Sequence, residues 1–119
     1  MEQLMSVEYM QQIRNINKKE MIIVEYLAKL ANYSLSEISE LFVMPLNDGG
    51  MGSFTIFQNK TEIGENRNFG KQISEYEFID DDNIPVLVSL NVDENNHLFE
   101  VDIWKVNYDP VINLKLPSE

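Results

Sequence analysis

Carboxylates make up most of the side chains in this chain that could do chemistry. Two groups stand out, five acids within one stretch of eight residues and two more alternating along a later segment: Glu75, Glu77, Asp80, Asp81, Asp82, Glu100 and Asp102. Paired carboxylates perform acid–base catalysis where burial separates their pKa values. The four residues Glu75, Glu77, Glu100 and Asp102 fall on the polar positions of alternating segments, and the three aspartates 80–82 fall in a predicted turn. We therefore expect a solvated face and predict no catalytic residue.

Nucleophilic catalysis has few groups to draw on. The chain contains no cysteine and a single histidine, His97, which lies in a polar segment predicted to be a hairpin turn. The absence of cysteine also excludes disulfides and thiolate metal sites. The sequence therefore predicts neither a catalytic triad nor a cofactor.

One acidic segment partly matches a calcium-binding loop. Asn91, Asp93, Asn95 and Asp102 occupy four of the ligand positions. However, the sixth position is Asn96 where the loop requires glycine, the last ligand is Asp where it requires a bidentate Glu, and strands flank the segment. We predict no structural metal site.

A glycine-rich segment is predicted to form a tight turn. It contains Asn47, Asp48, Gly49, Gly50 and Gly52. Its amides could in principle hold a phosphate, but the lysine and the Ser or Thr of a P-loop are missing, and the Asp would repel an anion. We expect a structural turn in which at least one glycine has a positive φ.

The charge balance narrows the class of partner. Twenty acidic residues against nine basic ones give a net charge of −11. Nucleic-acid binding needs cations that displace counterions, and an anionic membrane would repel the chain. The charge thus favours a basic protein partner, with a general effect on solubility as the alternative explanation.

These residues must be positioned by a helical part followed by a strand part. Apolar residues recur at helical spacing from Met5 to Ile16 and again after Asn17, which begins a capping box, and Ser34 begins a second one. From residue 42 onward, apolar and polar residues alternate, which predicts an antiparallel meander. We predict a single α+β domain with N-terminal helices packed on one face of a sheet of about four to six strands. Its parts are helical 1–41, a β-meander over 42–108 and a tail over 109–119.

Trp104 has two possible orientations in this scheme. If the strand stays regular, Trp104 shares the face of Glu100 and Asp102, and tryptophan beside charge is common at interface hot spots. However, the apolar residues of this segment change from odd-numbered positions, such as Val101 and Ile103, to even-numbered positions, such as Val106 and Tyr108. A bulge that turns Trp104 into the core would explain that pattern equally well. The predicted partner surface consists of the seven acidic residues and Trp104.

Two motifs resemble a family of small bacterial domains of unassigned activity. They are NDGGMGS at residues 47–53 and LFEVDIWK at residues 98–105, and the resemblance extends over approximately residues 17–109. In size, acidity and lack of catalytic groups the chain is also similar to bacterial immunity proteins. That similarity implies a cytoplasmic protein that blocks a cognate toxin by occluding its active site or substrate cleft.

Two other classes of function remain open. A small enzyme or ligand-binding domain would use Asp48, Glu100 and Asp102, and a deep pocket lined by them would favour it. A self-associating structural domain would use Trp104 and the apolar tail. The N-terminus has no basic segment followed by a long apolar run, and Met21–Val24 is too short to span a bilayer, so we predict a cytoplasmic location and no membrane contact.

Overall fold

The computed structural model describes residues 12–35 and 40–117. Six strands form one antiparallel sheet in the order β1-β2-β3-β6-β5-β4. The strands are β1 (Arg14–Asn15), β2 (Phe42–Pro45), β3 (Phe54–Phe57), β4 (Phe69–Ile79), β5 (Pro85–Asp93) and β6 (Leu98–Lys105). The helix α1 spans Lys18–Leu30, and a short 3-10 helix spans Lys60–Gly64.

Helix α1 begins at the predicted capping box. The Asn17 side chain accepts from the Glu20 amide at 2.8 Å, and the Glu20 carboxylate accepts from the Asn17 amide at 3.0 Å. Arg14 binds the same carboxylate at 2.8 Å. The buried residues of the helix recur at three- and four-residue spacing and face the sheet, namely Ile23, Val24, Leu27 and Ala28.

The prediction of several N-terminal helices is wrong. Within the described residues, only the 13 residues of α1 form an α-helix, and the fold is mainly the six-stranded sheet. Arg14–Asn15, which the predicted first helix includes, instead form edge strand β1 and pair with β2. Asn17 caps α1 with extended backbone angles, φ −88° and ψ 172°, which separates the helix from the residues before it, and those residues are extended because they pair with β2. Residues 1–11 and 36–39, which belong to the predicted helical region, lie outside the described residues.

The predicted meander over residues 42–108 holds only for β4, β5 and β6, because β3 pairs with β6 and not with β4. Tyr76 pairs with Val88, and Val88 pairs with Ile103, so that the apolar positions of the three strands share one face. Helix α1 packs on this face, which we call the packed face. The side chains of alternate residues point to the opposite side of the sheet, away from α1.

The C-terminal tail also lies on the packed face. Val111 and Leu114 pack against the core, and the Tyr76 hydroxyl donates to the Lys115 carbonyl at 3.0 Å. The Ser74 hydroxyl donates to the Leu27 carbonyl at 2.6 Å and fixes α1 to β4. No helix in the described parts of the chain is long and apolar enough to cross a bilayer.

Candidate functional site

The sheet surface opposite α1 gathers most of the sequence-predicted partner residues. The cross-strand register pairs Glu75 with Ser89 and Ser89 with Asp102, and one row further along it pairs Asn91 with Glu100. Side chains paired in this way lie about 4.5–5.5 Å apart at Cβ and form a continuous surface. We call this surface the open face and define it by Glu75, Glu77, Leu87, Ser89, Asn91, Glu100, Asp102 and Trp104.

The carboxylates of the open face have no cationic partner. Throughout residues 12–35 and 40–117, every ion pair involves other acids, and none reaches Glu75, Glu77, Glu100 or Asp102. Their mutual repulsion is therefore uncompensated by the fold. The open face carries a concentrated negative potential.

Glu100 is the most enclosed of these acids. Burial raises its pKa above the ordinary glutamate value, a hydrogen bond from Asn91 Nδ2 at 3.1 Å partly offsets that effect, and the charge of Asp102 raises the pKa further. Asn91 itself is only 5% exposed, and its Oδ1 has no hydrogen-bond partner within the described structure. A buried acceptor without a donor is uncommon in folded proteins.

The structure decides the orientation of Trp104. The irregularity in β6 falls between the pairs Val92–Leu98 and Asn91–Glu100, well before Trp104, and the strand is regular from there to its end. Trp104 therefore shares the face of Asp102 and is 38% exposed. Its ring makes an edge contact with Tyr108 at 6.1 Å between centroids.

Asp80 does not belong to this surface, contrary to the predicted partner set. It is 2% exposed and accepts from the Nζ of Lys105 at 2.8 Å, and Lys105 is completely buried. Burial alone would raise the pKa of Asp80, but Lys105 and the amides of Ile112 and Asn113 hold it well below its usual value. Along β6, Val101, Ile103 and Lys105 alternate with exposed residues and all point into the core. A lysine at a core position of the sequence could therefore have predicted a buried acid beside it.

Asp81 and Asp82 lie in the same turn after β4. Asp82 accepts from Lys105 Nζ at 2.7 Å, and Asp81 lies 3.2 Å from Lys115 Nζ. We refer to Asp80, Asp82 and Lys105 as the Lys105 cluster. The structure thus splits the predicted partner set, leaving four acids and Trp104 together on the open face and placing three acids beside lysines at its end.

Comparison with known proteins gives a family without an assigned activity. A family model described as Domain of unknown function (DUF6984) matches residues 13–115, which is most of the chain. The chain belongs to this family. No curated protein and no solved structure matches it.

The glycine turn connects β2 to β3 and contacts β6 through Ser53. Gly49, Gly50 and Gly52 all have positive φ, between 74° and 102°. Burial raises the pKa of Asp48, but hydrogen bonds from Ser53 and neighbouring amides lower it below the ordinary value. The Ser53 hydroxyl in turn accepts from the Ile103 amide at 2.8 Å. The amides of Met51, Gly52 and Ser53 therefore donate to Asp48 and are not free to hold a phosphate.

His97 is exposed, but it contacts a buried ionic network that the sequence analysis missed. Its Nδ1 lies 2.8 Å from a carboxylate oxygen of Glu62, which is 2% exposed although its segment looks polar. Arg67 lies 3.6 Å from Glu62 and 3.0 Å from Asp93, and donates to the Ile56 carbonyl at 2.7 Å. We refer to Glu62, Arg67, Asp93 and His97 as the Arg67 cluster. A single arginine in a polar segment gives no sequence signal of burial.

The segment that partly matches a calcium-binding loop forms the turn between β5 and β6. Asp93 accepts from the amides of Asn95 at 2.9 Å and His97 at 3.0 Å, in addition to Arg67. Among the residues that the structure describes, no three His, Cys, Asp or Glu side chains are grouped to hold a metal ion. The expectation that the chain binds no metal stays a prediction.

An open groove lies elsewhere on the molecule. Its volume is about 430 Å³, and the end of α1 and the following residues line it, including Glu25, Lys29 and Tyr33. Asp48, Glu100 and Asp102 do not line this groove. It gives no support to a small-molecule site built from those carboxylates.

Proposed function

We propose that this domain binds a basic protein partner through the open face and acts as an immunity protein that neutralises a cognate toxin. The observation that supports this proposal is the concentration of four carboxylates, none paired with a cation in the described structure, on one side of the sheet beside Trp104. A basic surface would supply the missing positive charges. Occupation of the toxin's active site or substrate cleft would then block its activity.

Electrostatics favours rapid capture of such a partner. The net charge of −11 attracts a basic protein at long range, and steering of this kind raises association rate constants to about 10⁸–10⁹ M⁻¹s⁻¹ at low salt. Immunity depends on capture before the toxin reaches its target. A dense, unpaired negative face suits that requirement.

The shape of the open face favours a protein over a small molecule. Small ligands are usually bound in concave pockets, whereas this surface is one side of an antiparallel sheet. Trp104 and Tyr108 add exposed aromatic area beside the charge, at 38% and 72% exposure. Aromatic residues next to charged ones are typical of the energetic centre of protein interfaces.

The small-enzyme alternative receives no support from the geometry. It requires Asp48, Glu100 and Asp102 to act together, but both oxygens of Asp48 accept from backbone amides of its own turn. A carboxylate committed in this way is a poor general base, because its pKa is lowered and its lone pairs are used. We therefore prefer the binding function.

The test is binding to the product of the gene adjacent to this one, measured by surface plasmon resonance at two salt concentrations. The variant Glu75→Lys/Asp102→Lys reverses two exposed charges of the open face. We expect at least about a 30-fold loss of affinity, since losing a close interfacial charge pair costs about 2–5 kcal/mol. Stability should change little, because both side chains are exposed.

The control is Glu25→Lys/Glu65→Lys, which changes the net charge equally at exposed positions outside the open face. It should lower the association rate modestly and leave the dissociation rate unchanged. Equal losses in both variants would show that net charge alone attracts the partner. Unchanged binding of the open-face variant would place the interface elsewhere.

A further inference from the structure

We infer that the open face contains a binding site for one guanidinium group, an arginine side chain of the partner, formed by Asn91, Glu100 and Asp102 beside Trp104. This inference rests on the proposed function and adds to it the chemical group that is recognised. The observation that carries it is the buried, unpartnered Oδ1 of Asn91.

The site is a small square of hydrogen-bond acceptors. Asn91 pairs with Glu100 across the strands, and Ser89 pairs with Asp102 in the next row on the same face. Two of the four side chains are carboxylates, and neither has a cation in the described structure. A group that satisfies this square must bring several donors and positive charge.

Asn91 distinguishes this square from an ordinary acidic patch. Its Nδ2 donates to Glu100 at 3.1 Å, which fixes the amide orientation and leaves Oδ1 without a donor. An unsatisfied buried acceptor costs free energy in the free protein. A ligand that donates to Oδ1 recovers that cost on binding.

Guanidinium fits these acceptors better than ammonium. It carries five N–H donors in one plane, so that it can bind a carboxylate and an amide oxygen at the same time. Trp104 lies two residues beyond Asp102 on the same face, where its ring can contact the aliphatic part of an arginine side chain whose guanidinium lies at the square. A lysine ammonium offers only three donors from a single atom.

Binding at Asn91 Oδ1 requires side chains around it to move, because the atom itself is buried. Glu100 is partly exposed, and its one hydrogen bond within the described structure is the one from Asn91. Rotation of such a side chain between staggered conformations is rapid. An incoming guanidinium would bind the Glu100 carboxylate and donate to Oδ1 while Asn91 Nδ2 keeps its hydrogen bond to Glu100.

The experiment is an NMR titration of the isotope-labelled chain with acetyl-arginine amide, and with the neutral acetyl-citrulline amide at matched ionic strength. We expect acetyl-arginine amide to shift the Asn91 side-chain amide and the Trp104 indole N–H resonances, and acetyl-citrulline amide to leave them unchanged. Asn91→Leu should weaken arginine binding about tenfold, because it removes one charge-assisted hydrogen bond. Glu100→Gln, which keeps the side-chain size, should weaken it similarly.

Glu25→Gln is the matched control, because it removes one negative charge from α1 and leaves the open face intact. Its arginine affinity should equal that of the unmodified chain. Equal affinities in Asn91→Leu and the unmodified chain would overturn the inference. If Asn91→Leu does not fold, as judged from its amide spectrum, Glu100→Gln decides the question alone, and unchanged binding by that variant would overturn it.

The site and the proposed function can fail separately. Suppose that Glu75→Lys/Asp102→Lys abolishes binding of the adjacent gene product while Asn91→Leu binds arginine normally. The open face would then stand as the interface, and the arginine site would be wrong. If instead Asn91→Leu loses arginine binding and the charge reversal leaves the partner's affinity intact, the site would stand and the proposed function would be wrong.

Discussion

The Lys105 cluster and the open face both contain carboxylates that lie in β4 or directly after it, but the fold uses them differently. Asp80 and Asp82 follow the end of β4 and bind Lys105, whereas Glu75 and Glu77 lie within β4 and have no cation in the described structure. Burying a charge is costly unless it is paired. Acids that the fold buries therefore come with lysine or arginine, and acids that it leaves unpaired remain available to a partner.

The Arg67 cluster repeats this lesson at the other end of the sheet. Glu62 and Asp93 are almost completely buried, and Arg67 serves both. Its guanidinium also lies over the rings of Phe57 and Phe99 at 5.7 and 5.0 Å. The presence of a cationic partner therefore separates buried from exposed acids better than sequence density does, because the densest acidic run includes the most buried aspartate.

The largest expected effect follows from removing the cation of the Lys105 cluster. Lys105→Met leaves Asp80 buried without its charge partner and weakens the attachment of the tail, so we expect the melting temperature, followed by circular dichroism, to fall by more than about 10 °C near neutral pH. Lys115→Met is the control, because its ion pair with Asp81 is exposed on both sides, and a much smaller change is expected.

The same variant has a testable pH dependence. With Lys105 present, the lowered pKa of Asp80 contributes stability that is present above the unfolded pKa and is lost as the pH falls through the folded value. Lys105→Met removes this contribution. The difference in melting temperature between the two proteins should therefore be smaller at about pH 3 than at about pH 7. A constant difference would show that Asp80 is not the group left uncompensated.

A second, smaller effect is expected in the Arg67 cluster. Arg67→Lys keeps the charge but cannot reproduce contacts to Asp93, Glu62 and the Ile56 carbonyl together, so it should cost about 2–3 kcal/mol in the free energy of unfolding by urea. Arg14→Lys is the matched control at an exposed pair with Glu20 and should cost under about 1 kcal/mol. Equal costs would mean that burial of the arginine contributes nothing.

The third effect is a gain of stability on the open face. The raised pKa of Glu100 means that its contribution to stability is fully present below the unfolded pKa and is lost as the pH rises through the folded value. Glu100→Gln is neutral at every pH and should be slightly more stable than the unmodified chain near pH 7. The two melting temperatures should converge below about pH 4. A loss of stability at neutral pH would show that the charged form is favoured in the fold.

The smallest effect is expected for Glu77→Gln. Its side chain is exposed and has no cation, so the free energy of unfolding should change by no more than about 0.5 kcal/mol. Any gain should shrink as salt is added, because screening weakens the repulsion that the substitution relieves. A destabilisation above about 1 kcal/mol would indicate a structural role like that of Asp80.

The sequence predicted the parts of the fold that depend on interactions between residues close together in the chain. The capping box at Asn17, the turn with positive φ at Gly49 and the alternation from Val86 to Val92 all depend on residues close together in sequence. Strand β1 could not be predicted in that way. Its two residues are extended because they pair with β2, and an apolar spacing that also fits a helix conceals this.

The division of the acidic residues depends on contacts distant in sequence. Asp80 meets Lys105 and Asp93 meets Arg67 across separations of 25 and 26 residues. Parity along β6 does carry part of the information, because Lys105 follows Val101 and Ile103 on the packed face. The sequence could not predict the unpartnered Oδ1 of Asn91. Its lack of a donor follows from the hydrogen bond between Asn91 Nδ2 and Glu100, which only the structure shows.

The position of Trp104 gives the molecule a built-in optical reporter. It is the only tryptophan of the chain, and it lies on the open face instead of in the core. Its fluorescence emission should therefore respond to whatever covers that face, with a blue shift as water is excluded from the indole ring. Partner binding can be followed without a label, by the emission wavelength of a single residue.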